Sequence, residues 1–302
     1  MVNLTTVTSH WSPTRLGNLT GKRVIVTGAT NGVGLATAGA LARAGAQVIL
    51  AVRNVELGAQ RAAEIGGDTV VVKLDLANLS SVRAFPGLLD GDVDVLVNNA
   101  GVVAQRRSET VDGFEMTLGT NFLGPFALTN LLVPRVRSTI VNVASDAHKT
   151  GKIWLDDPHL RTRKWSAFPA YARSKLAVML WGLELDRRLR QSGSPVTSQL
   201  THPGWVASNL SNLADEGVMA AFHTVVKTAA NVLANDTDAG AAPTLYCLSE
   251  PIPPGSYVGI DSRLGLKGAP TLSGRSAEAC DYEAAARLLD FAEKETGTTI
   301  PV

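Results

Sequence analysis

The chain of 302 residues carries only two cysteines, Cys247 and Cys280. They stand far apart and match no metal-ligand spacing, so both are read as unbridged thiols of a reducing, cytoplasmic compartment. The N-terminus lacks the basic and apolar regions of a signal peptide, and no stretch is apolar for long enough to span a bilayer, so no stable membrane insertion is expected. Neither sign of charge dominates. With 28 Lys and Arg against 27 Asp and Glu, the net charge of +1 gives no electrostatic footprint for nucleic acid. His148, His159, His202 and His223 show no metal spacing with a carboxylate partner, and no metal is expected. Charged residues make up 18% against 45% hydrophobic, which excludes general disorder and implies a sizeable core.

What is present is organised around Val24 to Gly34, VIVTGATNGVG. A branched apolar run ends in Thr27, and Gly28, Gly32 and Gly34 then lead into a helical pattern. This reads as a buried strand, a tight turn and a helix whose N-terminus faces the turn. Such a helix start offers unpaired N–H groups and positive dipole character, which suit a pyrophosphate. Gly28 would make the turn, Gly32 would let the backbone approach the phosphates, and Gly34 would let helix and strand pack closely. The spacing GxxxGxG differs from the usual dinucleotide fingerprint, and by itself is compatible with a plain glycine-rich turn.

Strands are expected at 23–27, 47–52, 69–73, 93–97, 139–143 and 195–200, with a last one near Tyr257. Helices are expected at 32–44, 54–65, 80–88, 113–132 and 170–191, and a tail helix capped by Asp281 runs through Glu293. Near-continuous apolar strands alternating with helices specify an α/β fold with a parallel sheet covered on both faces. No linker or repeat divides the chain, so 1–302 is read as one domain. It comprises an arm (1–20), an insertion loop (146–169), a substrate lid (207–235) and a tail (260–302).

Several residues could carry chemistry. An acidic residue that reads a ribose 2′-hydroxyl is expected about 20 positions after the first glycine. The chain has Val52-Arg53-Asn54 there, and an arginine fork pairs with a 2′-phosphate, pointing to NADP rather than NAD. Asp75 could face an adenine edge or cap a helix. In Asn98-Asn99-Ala100-Gly101, the amides could tie the loop to its neighbours while Ala100 and Gly101 keep it small beside a ligand. Tyr171 and Lys175, four apart, share a helix face. A nearby ammonium lowers a phenol's ordinary value near 10 and makes a tuned acid/base, although spacing alone favours a surface tyrosine and a solvated lysine. Ser145 ends a strand at the carboxyl edge, where its hydroxyl could hold a substrate oxygen or merely close a turn. Asn121 is a poor helix former inside a long helix, either solvated or part of a polar network.

Taken together, TGATNGVG, NNAG, Asn121, Ser145 and YARSK closely resemble the short-chain dehydrogenase/reductases, from about Leu16 through Tyr257. AVRN, HPGWVASNL and the tail CDYEAAARLLDFAEKETG look like the retinol-dehydrogenase-like branch. The resemblance implies a Rossmann-type, doubly wound sheet of about seven strands, ordered 3-2-1-4-5-6-7. It makes Tyr171 the proton donor or acceptor and Lys175 the ribose ligand that lowers the tyrosine. Ser145 would hold the carbonyl, and Asn121 would support a water relay. Gly28, Thr30, Asn31, Gly32, Val33, Gly34, Arg53, Asp75, Leu76, Asn98, Ala100 and Gly101 would line NADP(H), with Pro203, Gly204, Val206 and Ser208 over its nicotinamide end. The helices of Asn121 and Tyr171 would form the interface of a homodimer.

The expected activity is reduction of an apolar aldehyde or ketone, or oxidation of the matching alcohol. Carbon–carbon double-bond reduction is the runner-up. A non-catalytic NADP(H) sensor has no need of Tyr171 and Lys175, and their presence argues against it. Ser145 and Tyr171 stand 26 positions apart, more than in shorter family members. The intervening insertion brings Trp154, Trp165 and Phe168. Val218, Ala221, Phe222, Val225, Ala229 and Leu233 recur at helical spacing, either as a stripe in the fixed core or, with the insertion, as a mobile cover over a bulky apolar substrate.

Overall fold

The computed structural model describes residues 11–204, 237–261 and 268–301. Strand β1 (Arg23–Thr27) leads through the glycine turn to α1 (Gly32–Arg43). Then follow β2 (Gln47–Val52), α2 (Val55–Ile65), β3 (Thr69–Lys73), α3 (Leu79–Ala84) and β4 (Val93–Asn98). The second half holds α4 (Met116–Leu118), α5 (Gly124–Leu132), β5 (Val136–Val143), α6 (Ala167–Gln191) and β6 (Thr197–Thr201). The described elements end with α7 (Thr237–Ser249), β7 (Tyr257–Ile260), β8 (Pro270–Leu272) and α8 (Tyr282–Thr296). The strand order is β3-β2-β1-β4-β5-β6-β7-β8. The first seven strands run parallel, as expected. The short β8 adds an antiparallel edge, Val258 opposite Leu272, which the sequence reading did not contain.

The pleat sends alternate strand residues to two cores. On one face Val24, Val26, Val48 and Leu50 pack under α1 and α7 with Leu41 and Leu245. On the other, Ile25, Ile49, Leu96 and Ile140 meet α5 and α6. There Phe122, Phe126 and Trp181 form a mutual cluster with ring centroids 5.9–6.1 Å apart. Two caps stand where their spacing placed them. Asn54 accepts from Leu57 N at 2.9 Å and Asp281 from Ala284 N at 2.9 Å.

The tail helix α8 buries Ala285, Leu288, Leu289 and Ala292 against this second core, along α6 and α5. Arg188–Glu293 at 2.8 Å and Asn130–Thr298 at 3.1 Å tie it down. The tail helix thus packs along the two helices expected to pair subunits. Of the arm, Trp11 is buried and donates to Ser249 at 2.9 Å. Residues 1–10, Val206, Ser208, and the lid with its apolar stripe lie outside the described residues.

The expected helix 113–132 is not continuous. Gly113 turns with φ +83°, and the chain becomes helical only after Glu115, whose carboxylate accepts from Thr117 N and Leu118 N at 3.1 and 2.9 Å. A π turn, Gly119–Leu123, then separates α4 from α5. Such turns widen the backbone and recur at functional sites.

Cys247 is buried, and that burial pushes its thiol up, whereas Cys280 is exposed. The native protein should therefore react at Cys280 with a thiol reagent and at Cys247 only after unfolding, as a stopped alkylation read by peptide mass will check.

Candidate active site

The strand order reverses direction between β1 and β4, and a cleft of about 390 Å³ opens there, outside the carboxyl ends of the strands. Gly28, Thr30, Asn31, Val33 and Gly34 line one wall, Arg53, Asp75 and Leu76 another, and Ala100 and Gly101 the floor. The first amides of α1 receive no side-chain cap from Asn31 and remain free to meet an anion. The glycines are sterically required. Gly28 has φ +68°, and a Cβ there would lie 2.9 Å from the Ala100 backbone. One on Gly34 would lie 2.5 Å from the Gly28 carbonyl, the close helix–strand approach expected of it. Gly32 also has positive φ, +53°, but does not line the cleft.

Arg53 is exposed on the rim and has no ion-pair partner among the described residues. Asp75 does not cap α3. That is done by Asn78, which accepts from Ser80 N at 2.9 Å. Asp75 closes a small turn with Ala77 N at 3.0 Å and faces the cleft. The two asparagines after β4 divide the work. Asn99 lines the cleft and donates to Thr27 O at 2.9 Å. Asn98, expected to line the cofactor, instead turns into the sheet and donates to Thr129 and Asn142, both at 2.9 Å. Successive side chains leave a strand on opposite faces, so only one of the pair can point to the cleft. Both still fasten the loop, and Thr27 helps by accepting from Asn99 N and Ala100 N at 3.0 Å. Thr27, Asn99, Val102 and Thr120 were missed as site residues. The NNAG string held the signal for Asn99.

Tyr171, Ser145, Lys175 and Asn121 come together beside Gly101. Ser145 lies close enough to the Tyr171 hydroxyl to oppose the upward push that burial exerts on it. Lys175 Nζ lies 5.7 Å from the tyrosine ring centroid and donates to Val143 O at 2.8 Å. Asn121, on the π turn, donates to Val102 O and Ser174 Oγ at 2.9 Å and accepts from Val102 N at 2.7 Å. A Cβ on Gly101 would sit 3.3 Å from Asn121 Oδ1 and 3.6 Å from Lys175 Nζ, so glycine lets the cleft reach this group.

The electrostatics differ from the sequence expectation. Burial pushes Tyr171 up, with Ser145 opposing, and burial alone pushes Lys175 down to about 8. Nζ is held by the Val143 carbonyl and lies over the tyrosine ring.

The insertion is not a loose aromatic cover. Asp157 organises it by accepting from the backbone N–H groups of Arg161, Thr162 and Arg163 at 2.8–3.1 Å. Trp165 donates to the buried Glu115 at 3.1 Å, and Trp154 packs near Leu288 and Phe291 of α8 and stacks on Arg163. Phe168 is exposed. Trp154 thus packs against the tail helix and Trp165 is held by Glu115, and neither lines the cleft.

A sequence profile described as short chain dehydrogenase matches residues 22–218. Retinol dehydrogenase 13 of Homo sapiens is 45% identical over 63% of this chain and 60% of its own length. Polyprenol dehydrogenase of Mus musculus is 44% identical over 63% and 61%. The chain thus spans about three fifths of the length of these relatives. Among solved structures, an uncharacterized protein from Mycobacterium Paratuberculosis superposes with a TM-score of 0.84 at 41% identity, covering 97% of this chain and 99% of that one. The NADP complex of Pseudomonas aeruginosa RhlG superposes at 0.65, covering 85% and 100%, and at 23% identity it speaks for the fold alone.

Proposed function

The chain belongs to the short-chain dehydrogenase family, in its retinol-dehydrogenase-like branch, and from that premise we propose that it is an NADP(H)-dependent oxidoreductase interconverting an apolar aldehyde or ketone and its alcohol. The observation that carries the proposal is the gathering of Asn121 and Lys175 at Gly101, where the cleft opens, with the Tyr171 ring 5.7 Å from Lys175 Nζ and Ser145 beside the Tyr171 hydroxyl. The bound nicotinamide supplies or accepts the hydride. Ser145 donates to the carbonyl oxygen and orients it. Tyr171, kept protonated by its burial, gives that oxygen a proton in the direction of reduction. Lys175, below about pH 8, carries the positive charge that stabilises the phenolate left behind. Asn121 holds Val102 and Ser174, and so fixes the cleft floor to α6. The α1 N-terminus and the glycine turn would take the pyrophosphate, and Asp75 the adenine edge. The unpaired Arg53 would take the 2′-phosphate.

The Arg53 assignment supports NADP over NAD. Arg53→Asp should raise the Kd for NADPH at least ten-fold while leaving that for NADH within a few-fold, measured by nicotinamide fluorescence. Equal wild-type affinity for the two cofactors would refute the preference. The apolar substrate class is supported by relatives named for retinol and a polyprenol. Each buried methylene contributes about 0.8 kcal/mol. In a series of straight-chain aldehydes, kcat/KM should climb with length before levelling, and a series in which charged or sugar-like carbonyls react best would reject the assignment.

A further inference from the structure

Behind Ser145 lies a second polar cluster that none of the roles above uses. Ser145 caps the short turn Asp146–Thr150, accepting from Ala147 N at 3.2 Å. The next residue, Asp146, accepts from the hydroxyl of Tyr257 on β7 at 3.2 Å and lies 3.0 Å from Lys149 Nζ. His202, immediately after β6, is buried and approaches the same carboxylate oxygen with Nε2 at 3.8 Å. Its other ring nitrogen, Nδ1, accepts from Gly204 N at 3.2 Å. A nitrogen that accepts an N–H cannot carry a hydrogen, so the proton resides on Nε2 and faces Asp146. The ring is locked in place. Tyr257 packs against it at 5.4 Å and against His148 at 5.6 Å, and a Cβ on Gly259 would lie 2.1 Å from Nε2.

We propose that His202 is a positioning residue, joining the Pro203-Gly204 turn on one side of the site to the Ser145-Asp146 segment on the other. The proposal rests on the oxidoreductase reading, in which Pro203 and Gly204 close over the nicotinamide end and Ser145 holds the carbonyl. Its logic is mechanical. Hydride transfer needs cofactor and carbonyl in one register, and the two segments that set this register leave adjacent strands, β5 and β6, with one imidazole between them. The tie requires the neutral ring. Burial holds His202 below its ordinary value, with Asp146 opposing and Lys149 and His148 reinforcing, while Tyr257 faces it as a neutral phenol. Protonation at acid pH places a hydrogen on Nδ1, facing the Gly204 N–H, and breaks the bond. Because the folded value is depressed, the tie is intact above the ordinary histidine range and is lost as pH falls below it.

Two near-isosteric variants separate the two nitrogens. His202→Asn keeps an acceptor near the Nδ1 position, and His202→Gln keeps a donor near Nε2. In cofactor-free protein, the Gly204 amide should lose exchange protection in His202→Gln but keep it in His202→Asn. In the wild type its resonance should titrate with the His202 ring. His202→Gln should also weaken NADPH binding roughly two- to ten-fold, the worth of one hydrogen bond, with His202→Asn near wild type. For His202→Asn, kcat should fall while the KM for NADPH holds. Equal Gly204 protection in both variants, with no wild-type titration, overturns the tie. Protection as expected with unchanged NADPH affinity and kcat overturns the positioning role. A wild-type protein that binds no NADPH refutes the oxidoreductase reading and this role with it, although the Gly204 measurement would still stand.

Discussion

Tyr171→Phe should lower turnover by roughly 10²–10⁴-fold, the contribution of a positioned general acid, while NADPH affinity stays near wild type. The ring is half-buried on α6, and phenylalanine keeps its packing, so the loss isolates the hydroxyl. That hydroxyl lies beside Ser145. Single-turnover NADPH oxidation separates the chemical step from release. Near-normal turnover would assign the proton to another group. Lys175 adds a pH signature. Pushed down to about 8, its ammonium is present at neutral pH and lost as pH rises through that value, so the rate of reduction should fall on the alkaline side of about 8. Lys175→Met should be slow throughout and lack that limb.

Glu115→Ala should cost about 3–5 kcal/mol of folding stability, as expected when one partner of a buried ion pair is removed. Both Glu115 and Arg173 are inaccessible, and their 3.3 Å contact is not isolated. The carboxylate also receives Trp165 Nε1 and caps α4, so its loss unties the insertion, the helix start and a buried guanidinium together. At roughly 2–4 °C per kcal/mol for a chain of this size, the melting temperature should drop by about 10 °C. Glu115→Gln retains the shape and some of the acceptor bonds and should lose less. A loss near zero for Glu115→Ala would mean that the Pro158 carbonyl, 2.5 Å from Arg173 Nη1, suffices for the charge. The double variant Glu115→Ala with Arg173→Met should recover part of the stability, because it leaves no unpaired charge.

The sequence by itself determined the features that depend on local spacing. Strands β1 to β7, the glycine turn, and the caps at Asn54 and Asp281 stand where they were expected, whereas β8, α7 and the break in the 113–132 helix were not foreseen. The gathering of Tyr171, Ser145, Lys175 and Asn121 was legible only because their strings resemble a known family. Spacing alone preferred a surface tyrosine and a solvated lysine. Tertiary structure decided the rest. Glu115 looked like an ordinary helical residue, because its partners Trp165, Arg173 and His159 come from elements distant in the chain. Trp154 and Trp165 were aimed at the substrate by composition, yet the tail helix and Glu115 claim them. Which asparagine of Asn98-Asn99 faces the cleft depends on the pleat at the end of β4, and the state of Tyr171 and Lys175 depends on burial. These outcomes are fixed by long-range contacts and desolvation, for which a string of neighbouring residues holds no record.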